Sequence, residues 1–299
     1  QEIFTGNELL VKGALEADGG VHLLTGYPGS PIAGFFDALE AINPLLNEQG
    51  IVGRIANNEA LAVAMVNGAQ MAQCRAMAVM KSVGAHVASD ALALGVLAGT
   101  HGDSGGLVVI GDDPWSESTQ VPADSRFLAE HLRMPTIEPC CPQEVKDWVN
   151  AGFKLGKSGQ IYMAILLTTA LADGGGTVEC YPNQFPVLNE HKKKTLSYRG
   201  DIEPLLDQTL LLPPRTWQRE LELEQRFTAV KKAASELGIN RIFNRPQKDE
   251  LVPLGFIASG SAYAYLAHSL GEMGLAGRLP ILRLGMCYPV DEQLVLEFA

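Results

Sequence analysis

A chain of 299 residues that is 46% hydrophobic and 19% charged, with 31 Gly and 17 Pro, has the make-up of a packed, loop-rich α/β protein, which excludes a disordered one. Its formal net charge of -11 argues against nucleic acid or an anionic membrane surface as the main partner. Cysteines at 74, 140, 141, 180 and 287 are odd in number and irregular in spacing, which points to reduced thiols and a cytoplasmic setting; no apolar run is long enough to span a bilayer, no signal peptide stands at the start, and no C-x-x-C-x-x-C run offers an iron–sulfur ligand set.

In chain order, residues 5–19 read as a helix, with Thr5 or Asn7 near its start and Glu8 giving a partial capping pattern. Residues 21–25 are a short buried strand and 26–30 a turn. Pro31 suits the first position of a helix over 31–41. Residues 51–55 form the next strand, and 58–73 a helix rich in Ala, Gly and Met. A strand over 75–80 leads to a loop and helix over 83–98. A strand over 107–111 leads to a polar loop, 112–125, and a helix over 126–132. A short strand at 136–139, a helix over 143–157 and a strand over 161–168 follow. This alternation predicts a parallel sheet with helices on both faces. Ligands of such sheets gather at the carboxyl ends of the strands. The loops at 26–30, 56–59, 81–84 and 111–120 all fall on that edge.

Residues 1–174 therefore form one unit. Residues 175–250 carry Pro, charge clusters and a charged helix pattern around 215–237, and read as a connecting arm. Within it, Lys192, Lys193 and Lys194 are expected to be a solvated linker and not a binding patch. From 251 to 299 a second α/β unit begins: strand 254–258, turn 259–261, helix 262–273, strand 280–284, then a helix pattern. Such a fragment cannot bury both faces of its own sheet, so the chain is expected to be part of a longer polypeptide or assembly.

Five features carry candidate chemistry. Residues 26–31, Gly-Tyr-Pro-Gly-Ser-Pro, form a strand–turn–helix junction. It is either an anion or substrate site built from free amides and the Ser30 hydroxyl, or an ordinary tight turn. Glu59 opens a small-residue helix at the ligand-binding edge. It is either a first-turn acid favouring the helix dipole or a buried carboxyl awaiting a partner. Lys81-Ser82-Val83-Gly84-Ala85-His86 follows a buried strand, and its small side chains permit close approach to a ligand. His86 reads more readily as a surface histidine than as a catalytic one. Gly111-Asp112-Asp113-Pro114 is superficially like a diphosphate–magnesium motif but lacks the downstream Asn, so its acids read better as turn and cap residues. Cys140-Cys141, before Pro142, reads as a loop.

Taken in order, these segments resemble the pyrimidine-binding domain of the 2-oxoacid:ferredoxin oxidoreductases, in particular the thiamine-binding (alpha) subunit of the indolepyruvate type. The residues that carry the resemblance are Gly26 to Pro31, Asn58-Glu59-Ala60, Met80 to Asp90, Asp112-Asp113-Pro114, Ser118-Thr119-Gln120 and Asp124-Ser125-Arg126. Gly255 to Gly260 and Leu284 to Pro289 resemble the start of a transketolase-C-like domain. The resemblance covers nearly the whole chain. It implies thiamine diphosphate as cofactor, with Glu59 as the protonated acid that donates to the pyrimidine ring nitrogen. It implies Ser30 and Tyr27 beside the substrate carboxylate, and Pro28, Gly29, Ser82, Val83 and Gly84 along the cofactor cleft. It also implies oxidative decarboxylation of a 2-oxoacid, an aryl pyruvate, to acyl-coenzyme A, with electrons passed to ferredoxin or another acceptor. Magnesium and iron–sulfur clusters would come from domains outside this chain, in a homo-oligomeric assembly. The family often has His where Ser82 and Glu117 stand, and both departures bear on substrate specificity.

Three rivals stand beside this reading. One is a non-oxidative thiamine-dependent decarboxylase, and another is a relative that has lost the cofactor and acts as a binding subunit. The third, a Rossmann-type nucleotide binder, is disfavoured by the lack of Gly-x-Gly-x-x-Gly after the first strand.

Overall fold

The computed structural model describes residues 2–187, 189, 191, 211–247 and 252–299. The expected linker at Lys192 to Lys194 and the first residue of the third region, Leu251, lie outside the described residues.

Strand β1 (Glu2–Thr5) leads into α1 (Gly6–Glu16), whose start carries the full capping box between Thr5 and Glu8. The central strands then follow: β2 (Leu23–Gly26), β3 (Val52–Ile55), β4 (Arg75–Lys81), β5 (Gly105–Asp112), β6 (Thr136–Ile137) and β7 (Met163–Thr168). They pair in parallel in the order β6-β7-β5-β4-β2-β3. β4 and β5 are unbroken apolar runs because both faces of the sheet are covered. On one side pack α1, α2 (Gly34–Ala41) and α8 (Pro142–Gly159). On the other lie α4 (Glu59–Met71), α5 (Ser82–Val87) and α6 (Ser89–Ala98). The right-handed crossover rule puts them there, since the chain steps from β2 to β3 in one direction and from β3 across to β4 in the other.

Several elements depart from the sequence expectation. The helix expected over 31–41 begins only at Gly34, after a turn through residues 30–33. A separate helix, α3 (Asn43–Gln49), follows it with Pro44 in its first turn. Pro44 cannot continue α2 because its ring crowds the carbonyl four residues back, but it is well placed to begin a new helix. α7 (Arg126–His131) follows the polar loop, and α9 (Thr169–Ala172) follows β7. Strand β8 (Gly175–Val178) pairs antiparallel with β1 in a ribbon of its own.

The sheets do not part at residues 175 and 251. In the arm, α10 (Arg215–Leu221) and α11 (Leu223–Glu236) are helical, and α11 packs on α8 of the central unit. Strands β9 (Arg241–Phe243), β10 (Phe256–Ala258) and β11 (Ile281–Arg283) make a small sheet in the order β10-β11-β9, next to α12 (Gly260–Glu272). Strand β12 (Met286–Tyr288) joins the central sheet antiparallel to β6, and α13 (Glu292–Phe298) follows it.

Candidate functional site

The chain leaves β2 toward β3 on one side and returns to β4 on the other. Open α/β sheets form a ligand crevice at the carboxyl ends of strands where the order switches in this way. Three loops meet at this one.

The first loop leaves β2 at Gly26. Its φ is 151°, and a Cβ there would lie 2.9 Å from both the Val79 carbonyl carbon and the Phe36 ring, so only glycine fits. Tyr27 N–H donates to the Val79 carbonyl (3.1 Å), and Ala56 N–H donates to the Gly26 carbonyl (3.0 Å). These bonds pin the loops after β2 and β3 to the sheet. A Cβ on Gly29 would lie 2.7 Å from Cδ of Lys81, so the turn runs against the end of β4. Tyr27, Pro28 and Ser30 are exposed on this edge.

The second loop ends at Asn58, whose side chain caps α4 by accepting from Leu61 N–H (2.8 Å). The next residue, Glu59, is 6% exposed. Among the described residues, no side-chain or backbone donor reaches its carboxylate. Its oxygens are not among the described polar atoms sealed from solvent without a partner, so the carboxyl opens onto the crevice, a geometry that suits a group that meets a ligand. The third loop brings Ser82, Val83 and Gly84 from the end of β4. Ser82 and Gly84 are buried and Val83 is exposed. A Cβ on Gly84 would stand 2.7 Å from Cγ and 2.8 Å from Cδ of Glu59, so the missing side chain of Gly84 makes the room that Glu59 occupies.

The structure thus brings Glu59, Ser82, Val83 and Gly84 together and sets Tyr27, Pro28, Gly29 and Ser30 on the same edge by way of Lys81. His86 is exposed on α5, away from any chemical role visible in the fold. Around Glu59 stands an apolar rim that composition alone did not reveal: Tyr27, Ile55, Leu61, Val83 and Val87 are all exposed.

The Gly111-Asp112-Asp113 segment does the turn work expected of it. Asp113 accepts from the backbone N–H of Glu117 (2.9 Å), Ser118 (2.8 Å) and Thr119 (2.6 Å). Desolvation alone would raise its pKa, but these donors hold the carboxyl down to about 2. Asp112 accepts from Ser125 N–H (2.8 Å) and Oγ (2.5 Å). There desolvation wins and pushes the carboxyl up to about 6. Glu117 is exposed on the loop that Asp113 ties down. Sequence reasoning did not single out Asp112 as a buried acid. The available signal was its position at the end of a strand that is buried throughout.

No helix among the described residues is long and apolar enough to cross a membrane. No family model matches the chain. Curated relatives do. The chain is 29% identical over 293 residues to indolepyruvate oxidoreductase subunit IorA of Methanothermobacter marburgensis, covering 98% of this chain and 44% of the relative. It is 30% identical over 294 residues to the subunit of the same name from Archaeoglobus fulgidus, with 98% and 44% covered. It is 31% identical over 301 residues to that of Pyrococcus abyssi, with 99% and 43% covered. The chain therefore spans less than half the length of these relatives. Its fold is similar to that of a 2-oxoglutarate:ferredoxin oxidoreductase from Magnetococcus marinus, solved with 2-oxoglutarate, coenzyme A and succinyl-CoA bound. The TM-score is 0.69 at 16% identity, covering 99% of this chain and 56% of the other. The resemblance read from the ordered motifs is borne out, as is the α/β fold with a mostly parallel sheet.

Proposed function

We propose that this chain forms the pyrimidine-binding wall of a thiamine diphosphate site in a 2-oxoacid:acceptor oxidoreductase of the indolepyruvate type. The observation that carries this reading is Glu59 at the switch-point crevice, largely buried, without a hydrogen-bond partner among the described residues and seated in the room that Gly84 leaves. The similarity to indolepyruvate oxidoreductase subunits over nearly the whole chain supports it.

The residues present fit the group. An aminopyrimidine ring nitrogen needs one acid to donate to it. Glu59 offers the acid, seated in the room that Gly84 leaves, and the turn at Gly29 runs along the same edge against Lys81. When bound, thiamine diphosphate supplies the nucleophilic carbon and the electron sink for decarboxylating a 2-oxoacid. The work of this chain would be to hold and move a proton at the Glu59 carboxyl. Ser30 and Tyr27, exposed on the β2 side, would receive the substrate carboxylate, and Pro28, Ser82 and Val83 would complete the cofactor wall.

The apolar rim around Glu59 would be covered by another domain or subunit that brings the magnesium ligands. Iron–sulfur clusters and coenzyme A belong to those parts too, with ferredoxin as the electron acceptor and an aryl pyruvate as the substrate. In this reading residues 1–174 are the pyrimidine domain, 175–250 a connecting arm and 251–299 the start of a transketolase-C-like domain, in a cytoplasmic homo-oligomer.

Glu59→Gln in the complete assembly tests the assignment. Turnover of indolepyruvate to acyl-coenzyme A should fall by about 100- to 10,000-fold, the range for losing a positioned acid. The melting temperature should stay within a few degrees of the parent, because a glutamine side chain keeps the shape and loses only the acid. Full activity in this variant would defeat the proposal. Aldehyde released without reduced acceptor would instead identify a non-oxidative decarboxylase.

A further inference from the structure

At the opposite end of the strand order from Glu59, the segment after β6 carries three side chains the proposed reaction does not use. The Sγ atoms of Cys140 and Cys141 and a carboxylate oxygen of Glu144 all lie within 4.8 Å of one another. All three residues are half-buried, so the group is reachable from solvent. The sequence pattern alone reads this segment as a loop, because the third member stands one helical turn further on.

The group is held in place by its surroundings. Cys141 occupies the N-cap position of α8, with its sulfur facing the backbone N–H groups of Gln143 and Glu144. Glu144 is fixed twice: Cys140 N–H donates to Oε2 (2.9 Å), and Arg283 Nη1 donates to Oε1. Arg283 Nη1 also approaches Cys140 Sγ (3.4 Å). The guanidinium is itself locked in place. It donates to the Ile239 carbonyl (3.3 Å) and lies over the rings of Trp148, Phe243 and Tyr263. Metal sites are oriented by outer partners of this kind.

We propose that Cys140, Cys141 and Glu144 form a binding site for a single thiophilic divalent cation of the zinc class. Three protein ligands would leave a fourth position open to water. Zinc binds thiolate sulfur at ~2.3 Å and carboxylate oxygen at ~2.0–2.2 Å in a tetrahedron, which sets ligand atoms roughly 3.5–3.8 Å apart. Closing the site from its present spread therefore takes about 1 Å of side-chain movement. The charges agree. Without metal, Glu144 is balanced by Arg283. With metal, two thiolates and one carboxylate balance the cation together with Arg283. Binding displaces to buffer the protons the two thiols carry, at most two, and involves no oxidation.

The test is equilibrium dialysis of zinc sulfate against the complete, thiol-reduced assembly. The parent protein should hold one zinc per chain that the double variant Cys140→Ser/Cys141→Ser loses, with affinity reduced by about 100-fold or more. Glu144→Gln should weaken it about 10-fold. Calorimetry in buffers of different ionisation enthalpy should read proton release, at most two per ion. Cadmium(II) used in place of zinc should give thiolate-to-metal ultraviolet charge transfer in the parent alone. Equal zinc affinity and stoichiometry in parent and double variant would overturn the proposal, as would binding without proton release. If the variants fail to fold, the parent decides the matter. Zinc should shield Cys140 and Cys141 from iodoacetamide while leaving Cys74 reactive, and unchanged alkylation of the pair would overturn it.

Discussion

The second hydrogen on the Cα of Gly84, standing where other residues carry Cβ, decides how much room Glu59 has. A methyl group there would press on the far end of the glutamate side chain, which can swing away, and not on backbone. Gly84→Ala should therefore leave the fold nearly as stable as the parent, within about 1 kcal/mol. It should also displace the carboxyl and cut activity sharply. Matched melting curves alongside a fall in turnover would bear this out, whereas unchanged turnover would show that the carboxyl has no fixed place. The place of Glu59 was legible in the sequence, since an acid opening a small-residue helix after a strand reaches the ligand edge of any such sheet. Its close fit was not legible, because that depends on Gly84, which reaches it from the end of another strand.

Among the elements, the loop between β5 and α7 hangs on two adjacent acids that titrate in opposite directions. Asp113, held down to about 2, stabilises the fold fully above about pH 4, and this support is lost as pH falls through about 2. Asp112, pushed up to about 6, favours the fold when protonated; that contribution is present below about pH 4 and is lost as pH rises through about 6. The difference for Asp112 corresponds to about 3 kcal/mol. Asp112→Asn can keep both links to Ser125 without a charge. It should gain up to about 3 kcal/mol over the parent at pH 7 and nothing at pH 4, read by urea unfolding. Equal stability of the two proteins at pH 7 would remove the case for a strained acid. Long apolar strands such as β4 and β5 were legible because burial on both faces leaves an unbroken apolar run. β1 and β8 were not, since Thr5 and Glu8 announce the helix and nothing local announces the two-stranded ribbon before it. The end of α2 at Ala41 was legible, but α3 was not, because Pro44 reads as the stop of one helix as readily as the start of another.

Across the molecule, the region read as a separate unit is bonded into the central one. Arg283 on β11 reaches Glu144 on α8, and Arg126 joins Glu138, which also accepts from Ser259 Oγ (3.1 Å). Arg283 is 6% exposed, so removing it strands a half-buried carboxylate and empties an aromatic cage. Arg283→Ala should destabilise the protein by about 3–5 kcal/mol. Amide exchange should quicken in β11 while β4 stays protected; uniform exchange in both strands would deny that Arg283 is the local tie. None of this could be read from composition, because the partners are far apart in sequence.

The placement of β12 has a consequence for how the protein is made. Cys287 and Thr136, brought together at the rim of the central sheet, stand 151 positions apart in the chain. A nascent polypeptide can assemble the strands from β2 to β7 as they leave the ribosome, but the outer side of β6 stays bare until residue 288 has been synthesised. Unpaired strand borders recruit other chains. Stalled or prematurely ended translation products should therefore be the species that clump during expression, and a chaperone would be needed most in that interval.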